Sequence, residues 1–335
     1  MNRKELIDVL KLVKPGVKEN SIIEQANLAI FNKTHVSSYN SEIAISVPFE
    51  TDIEAAIPFN TFLKLLEKIK EEKIDVNIND ESSEVTLSSG KTTAGFVVLA
   101  ELASINIGLD TIDKWHKLPK DFVEATSFCS FSAATDIAQG VLVSLKIQGN
   151  TILSCDNRRA TEYTMSGKLP KNTDFLLSRR IIEKMIDYNP IEFALTENWI
   201  HFKNEGKTIF SCHEMHGDYP DISQVFGLDK SDKVELPKAL IDTLSKTELF
   251  STITATGAKY IEMSIKKDRI ICRSESDDGW IEDTVDCNYD GEPITVNIDP
   301  EMLKQIIKHI KIMEVGGSKV LFQGDNFRHM IALFG

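Results

Sequence analysis

RKELIDVLKLVK, residues 3–14, reads as an amphipathic helix, and its design returns five more times along the chain. Leu6, Val9, Leu10 and Val13 fall at i, i+3, i+4 and i+7 and make one apolar stripe. Lys4 and Lys11 lie off that stripe, and Pro15-Gly16 stops the helix. Related segments begin near residues 60, 119, 178, 237 and 300, a spacing close to sixty residues throughout. A fixed period of that length is the signature of a repeat architecture.

NTFLKLLEKIKEEK, residues 60–73, carries its stripe on Phe62, Leu65, Leu66 and Ile69, with Lys64 and Lys68 away from it. The fourth segment starts at Ser178, a good N-cap; Ile181, Ile182, Met185 and Ile186 turn inward and leave Arg179, Arg180 and Lys184 outside. The fifth opens on Pro237, suited to a first helical turn, with Leu240, Ile241, Leu244 and Leu249 as its stripe. In the sixth, Pro300 follows Asp299, and Leu303, Ile306, Ile307 and Ile310 face inward. Lys304, Lys308 and Lys311 are expected on the opposite face at i, i+4 and i+7. The third, KDFVEATSFCSFSAATDIAQ, is the least regular and has the fewest cations.

Between helices the period changes to two, as in SEIAISVPF, IDVNIND, VLVSLKIQGNTILSC, KYIEMSIKKDRIICRSES and GWIEDTVDCNY. Gln148-Gly149-Asn150 and Asp277-Asp278-Gly279 supply turns. Each unit is therefore one helix and several short antiparallel strands. Two units make a domain, which gives three domains, 1–116, 117–228 and 229–335, in an α+β fold.

Composition sets outer limits. The 335 residues are 42% hydrophobic and 27% charged, as in a soluble globular protein of two or three domains. Five cysteines (129, 155, 212, 272 and 287) form no CxxC pair, which points to reduced thiols and away from a disulfide framework or structural zinc. No signal-peptide pattern opens the chain, and no apolar run approaches a membrane span, so a cytoplasmic location is expected. The net charge of −13 argues against a conventional basic DNA-binding domain. It is compatible with a protein that holds DNA by topology and confines its basic charge to one surface. A lysine-rich helix face is ordinarily just a solvated face. Its recurrence on five helices of an acidic chain implies a shared environment, most simply a ring lined by helices and walled by sheets.

Several segments, in order and spacing, make the chain similar to the bacterial beta sliding clamps across essentially its whole length. EATSFCSFSA (124–133) resembles the first helix of that family's middle domain. GVLVSLKIQGNTILSCDNRRATEY (140–163) resembles its strand pair ending in Ala-Thr-Asp-Gly-His-Arg-Leu, and GDYPDISQV (217–225) its Gly-x-Phe-Pro-Asp-Tyr segment. DDGWIEDTVDCNYDGEPITVNIDPEMLKQII (277–307) resembles the strands and last helix of its third domain. Two motifs depart. The Asp-Gly-His-Arg-Leu core reads Asp156-Asn157-Arg158-Arg159-Ala160, and the Met-Pro-Met-Arg-Leu tail reads Ile331-Ala332-Leu333-Phe334-Gly335. Such divergence suits a phage or mobile-element clamp acting in a host cytoplasm.

The resemblance implies a DNA-clamp fold closed as a head-to-tail homodimeric ring, a processivity factor that encircles duplex DNA and tethers polymerase and clamp loader. It implies no catalytic site and no cofactor. Facing DNA would be Lys4, Lys11, Lys14, Lys64, Lys68, Arg179, Arg180, Lys184, Lys238, Lys304, Lys308 and Lys311, with Lys18 at a position where the family has an arginine. A partner-peptide pocket would draw on Ala138, Cys155, Asn157, Arg158, Ala160, Pro220, Val225, Ile331 and Leu333. Leu249 and Phe250 would lie at the dimer contact, their alternative being plain core of the fifth helix.

Catalytic signatures are sparse. There is no GxxxxGK[ST], HExxH or Gly-x-Ser-x-Gly. Cys212-His213-Glu214-Met215-His216-Gly217-Asp218 gathers metal-ligand types, but strand alternation would set His213 opposite Cys212, Glu214 and His216. Two other readings thus stand beside the clamp: a protein-binding repeat scaffold without DNA, and a metal-dependent hydrolase using that cluster.

Overall fold

The computed structural model describes residues 1–19, 21–23, 25–79, 84–98, 107–255 and 257–335. Its helices stand where the period places them. Helix α1 (Arg3–Val13) starts behind Asn2, whose side-chain oxygen accepts from the N–H groups of Lys4 and Glu5. It buries Leu6, Leu10 and Val13 completely and ends in a 3-10 turn, Lys14–Gly16. Strands β1 (Leu28–Asn32), β2 (His35–Tyr39), β3 (Ile43–Pro48) and β4 (Glu54–Pro58) follow, paired in the order β4-β1-β2-β3. After α2 (Phe59–Lys68) comes a meander of β5 (Asp75–Asn79), β6 (Glu84–Ser89) and β7 (Thr92–Val97).

The same sequence of elements recurs. Strand β8 (His116–Lys117) and α3 (Phe122–Ser130) lead to β9 (Ser144–Gln148), β10 (Thr151–Cys155), β11 (Arg159–Thr164) and β12 (Asp174–Ser178). These are ordered β12-β9-β10-β11, and α4 (Arg179–Met185) precedes the meander β13 (Glu192–Thr196), β14 (Trp199–Lys203), β15 (Ile209–His213). In the last round, β16 (Asp232–Glu235) and α5 (Leu240–Thr247) are followed by β17 (Thr252–Ile253), β18 (Lys259–Lys266), β19 (Arg269–Ser276), β20 (Gly279–Asp286) and β21 (Ile294–Ile298). Here β21 and β17 both pair with β18, which pairs on with β19 and β20. Helix α6 (Pro300–Ile306) precedes β22 (Ile312–Gly316), β23 (Lys319–Gln323) and β24 (Phe327–Ala332). Three times, then, a four-stranded unit has its fourth strand beside its first, and three times a three-stranded meander follows.

The chain divides into two compact units. One comprises Met1–Val123, Leu169–Lys171 and Arg180–Met215; the other comprises Glu124–Lys168, Asn172–Arg179 and His216–Gly335. In the first, β3 pairs with β15 to join two four-strand sets into one sheet, β4-β1-β2-β3-β15-β14-β13-β8. Helix α1 packs on β2 and β3 and against α2. Phe62 of α2 meets Phe31 and Phe96 edge-on, with ring centroids 6.1 and 5.2 Å away. The Arg3 guanidinium donates to the carbonyls of Leu66 and Glu71 at 2.9 and 2.8 Å and satisfies the C-terminal end of α2.

In the second unit, β11 pairs with β24 and gives β12-β9-β10-β11-β24-β23-β22-β16, the same arrangement. The β18–β21 sheet lies in this unit too, with α5 packed on β19 and β20 and against α6.

The sixth helix is shorter than its apolar spacing predicts. It closes at Ile306, and the N–H groups of His309 and Ile310 both turn back to the Ile306 carbonyl. The chain must leave there to reach β22, whose approach is tied by Leu236 N–H to Lys311 O. Lys308 and Lys311 therefore lie beyond the helix, and the continuous Lys304–Lys308–Lys311 face does not form. In the fifth, regular helix begins at Leu240 after a turn from Pro237. Thr243 and Thr247 are buried there, whereas Leu249 is 79% exposed on the 3-10 turn Glu248–Phe250. The tighter turn rotates Leu249 off the helical stripe.

Candidate nucleic-acid and partner-binding surfaces

Lys4 and Lys11 on α1, Lys14 and Lys18 beyond it, and Lys64 and Lys68 on α2 are all exposed. So are Arg180, Lys238, Lys308 and Lys311, while Arg179 and Lys184 are half-buried. Arg179 donates to the Ala133 carbonyl at 3.3 Å. Lys304 departs from the expectation. Its ammonium group is held by Glu248 and by Glu301, the latter at 2.8 Å, and its side chain is only 14% exposed. Two carboxylates offset its charge, so Lys304 fastens α6 to the turn after α5. An exposed lysine costs little to redirect toward an anion; a lysine already carrying two ion pairs does not share that freedom.

The pocket residues separate into three groups. Cys155 and Ala160 are buried at the facing ends of β10 and β11 and pack with Ile222, Phe226 and Leu321. Leu142, Leu153, Tyr219, Val225, Leu228 and Met330 pack half-buried against this apolar cluster, the place where the expected peptide hollow falls. The Cys155 N–H donates to the Tyr219 hydroxyl at 2.9 Å, and the hydroxyl faces the Cys155 sulphur at 3.6 Å. Burial pushes both the Cys155 thiol and the Tyr219 hydroxyl above their ordinary pKa values, so both remain neutral. Lys319 donates to the Val225 carbonyl at 2.8 Å, pinning the 3-10 turn Ser223–Phe226.

A second group borders the hollow. Asn157 is exposed and Arg158 half-buried in the turn that Asp156 organises, its Oδ1 accepting from the N–H groups of Arg158 and Arg159 at 2.8 and 2.9 Å. Ala138 and Pro220 are exposed. Ala138 donates its N–H to Asp136 at 2.9 Å, at the head of the turn Ile137–Val143.

The third group does not line the hollow. Ile331 is completely buried, paired with Arg159, while its neighbour Met330 is paired with Ala160 and packs on the cluster. Alternation along β24 puts the two side chains on opposite faces, so Met330 takes the place expected of Ile331. Leu333 lies past β24 beside Phe334, on a cavity lined also by Glu262, Val296 and Ser318. Met330, Ile222, Phe226 and Leu321 were not singled out from the sequence. Ile222 sits within GDYPDISQV and was within reach; Met330 needed the β11–β24 register.

The 212–218 stretch is a strand end. Cys212 is fully buried and its sulphur faces the Ile200 carbonyl at 3.7 Å; burial pushes its thiol up. His213 is exposed, its ring 4.7 Å from that of Trp199. Among the described residues no three His, Cys, Asp or Glu side chains are grouped to hold a metal ion.

Leu249, Ile253 and Trp280 are 79, 64 and 65% exposed in neighbouring elements of one unit, and Phe250 is half-buried beside them. Strand β20, which carries Trp280, pairs with β19 alone among the described strands. In the other unit β7 pairs with β6 alone and exposes 81% of Val97. Long edges with exposed apolar side chains invite pairing with another chain.

No family model matches the chain, and no curated protein matches its sequence. Solved structures do match. The DNA polymerase III subunit beta of Pseudomonas aeruginosa superposes with a TM-score of 0.85 at 14% identity, over 100% of this chain and 99% of that one. The beta sliding clamp of C. crescentus gives 0.86 at 13% identity over 100% and 98%, and the sliding clamp of Bacillus subtilis 0.82 at 14% over the same shares. The three-fold recurrence of strand order is thus the sliding-clamp fold, α+β with antiparallel sheets.

Proposed function

We propose that this chain is a DNA sliding clamp, a processivity factor that encircles duplex DNA and tethers a polymerase to it. One observation carries the reading: end-to-end likeness to clamp structures, over essentially the full length of both chains, at helices that carry exposed cations. The chain then comprises three domains, 1–116, 117–228 and 229–335, acts in the cytoplasm and needs no catalytic site. Lys4, Lys11, Lys14, Lys18, Lys64, Lys68, Arg180, Lys238, Lys308 and Lys311 are the cations free to meet phosphates, with Arg179 and Lys184 beside them. Contacts of this kind position DNA without reading its sequence. The net charge of −13 leaves the remaining surface repulsive to DNA.

Sheet order supports a head-to-tail dimer. Within the chain, the third strand of a four-strand unit meets the last strand of a meander twice, as β3·β15 and β11·β24. The strands left over are β20 and β7. Pairing β20 with β7 of a second copy repeats the same seam and places Leu249, Phe250 and Trp280 at the contact. Two such seams close a two-fold ring of six domains. The hollow around Cys155, Ala160 and Met330 receives a short partner peptide with apolar anchors, and tethering follows as an effective-concentration effect.

The test is retention on DNA. The protein should sediment near twice 37.6 kDa. It should bind short linear duplex weakly and lose that binding as salt rises. Assembled on a closed circle with its loader, it should stay until the circle is cut. Release from the intact circle at the same rate as from the cut one would refute the clamp.

A further inference from the structure

Arg158 and Tyr260 hold an aromatic ring between them, and the ring is the chain's own Phe334. The Arg158 guanidinium carbon lies 3.8 Å from the Phe334 ring centroid. Phe334 also stacks on Tyr260, centroids 5.0 Å apart and planes at 29°. All three side chains are only half-buried. The segment that delivers the ring is lightly held. Past β24 it is carried by single N–H bonds from Leu333 to Ser318 O (2.8 Å) and from Phe334 to Asn297 O (2.9 Å). A cavity of about 330 Å³ runs beside it, lined among others by Leu333, Phe334 and Glu262, so packing does not lock it in place.

Along the chain this socket adjoins the hollow. Arg158 lies in the turn between Cys155 and Ala160, and Met330, which covers Ala160, precedes Phe334 on the same stretch of chain. A guanidinium over one side and a phenol ring against the other suit any aromatic side chain, because each interacts with the ring's π-system rather than with its substituents.

We propose that Phe334 is an internal occupant of an aromatic socket formed by Arg158 and Tyr260, and that a partner peptide ending in an aromatic residue binds by displacing the strap 333–335. The proposal rests on the partner-peptide reading of the adjoining hollow. The strap lowers apparent affinity by the fraction of time the socket is open, since a ligand that needs a minor state binds in proportion to its population.

The test uses the full chain and a synthetic Gln-Ser-Glu-Leu-Phe peptide, with a control in which the peptide's phenylalanine is replaced by alanine. In calorimetry, Phe334→Ala should bind the peptide about tenfold tighter than wild type, the change expected when one aromatic contact no longer competes. In unaltered protein, saturating peptide should accelerate amide hydrogen exchange across 333–335, and the control peptide should not. Equal or weaker binding by Phe334→Ala, or slowed or unchanged exchange at saturation, would overturn the proposal and leave the hollow as the site, with Phe334 one of its walls. Failure of both forms to bind the peptide at millimolar concentration would instead remove the partner-peptide reading, and the competition with it.

Discussion

Met330 and Ile331 are adjacent, yet one touches the hollow and the other is sealed beneath the sheet. A lysine at Met330 would put a charge against Cys155 and Ala160, where no carboxylate of the cluster can compensate it. Met330→Lys is expected to abolish peptide binding while the protein stays folded and dimeric, since Met330 is only partly buried. Leu333→Lys, on the strap past β24, should weaken binding far less; calorimetry with the same peptide on both variants checks the order. Two buried histidines make a different residue-scale prediction. His201 is bonded at both ring nitrogens, to Thr196 and Ser211, each at 2.8 Å, and burial lowers its pKa to about 4. His329 meets Thr161 at 2.8 Å and is lowered to about 3 by burial and then by the nearby Arg159 charge. Unfolded histidine titrates near 6.5, so between that pH and the folded values the unfolded chain binds more protons. Stability is therefore complete above pH 6.5 and falls as pH drops toward 4, by up to ~1.4 kcal/mol per pH unit for each histidine. Urea denaturation between pH 7 and pH 4 should show this slope, and His329→Gln should remove about half of it.

At the scale of elements, α6 separates two kinds of lysine. Lys304 bridges Glu248 and Glu301, and its removal leaves the half-buried Glu248 and the exposed Glu301 without their shared cation. Lys304→Ala should cost about 1–2 kcal/mol of stability and change DNA retention little. Lys308→Glu with Lys311→Glu should do the reverse, because both are exposed beyond the helix end. Thermal denaturation and retention on circular DNA, measured on the same two preparations, separate the roles; a shared phenotype would show that Lys304 also works through its charge. The helix periods were legible because Leu6, Leu10, Phe62, Leu66, Ile182 and Leu303 recur at helical spacing and are all buried. Helix ends were less so. Ile307 still caps the last turn, buried and bonded to the Leu303 carbonyl, but the strand that follows pulls the chain away before Ile310 can extend the regular helix.

For the molecule as a whole, the open edges of β20 and β7 matter more than any single contact. Leu249→Asp with Trp280→Asp would set two charges at the proposed seam. Both side chains are mostly exposed within the chain, so the variant should still fold, sediment as a monomer and still bind peptide. It should be lost from closed circular DNA as fast as from linear DNA. A variant that stays dimeric would place the seam elsewhere. Salt acts on the other half of the system: raising ionic strength should weaken binding to linear duplex steeply and peptide binding little, because phosphate contacts release counterions and apolar anchors do not.

The sequence by itself determined the number of repeats, the helix-then-strand order of each and most of the apolar face of the regular helices. These follow from local periodicity, which needs no knowledge of distant residues. It also separated cations from the apolar stripes, and its resemblance to the beta sliding clamps put Cys155, Ala160 and Val225 forward for one candidate site. Only the tertiary structure decided that Met330 replaces Ile331 at the hollow, that Lys304 is neutralised by Glu248, and that Phe334 sits between Arg158 and Tyr260. Each of those depends on strand register or on a contact between residues far apart in the chain. Register is a collective property of paired strands: one residue of slip exchanges the two faces while leaving the alternating pattern in the sequence unchanged.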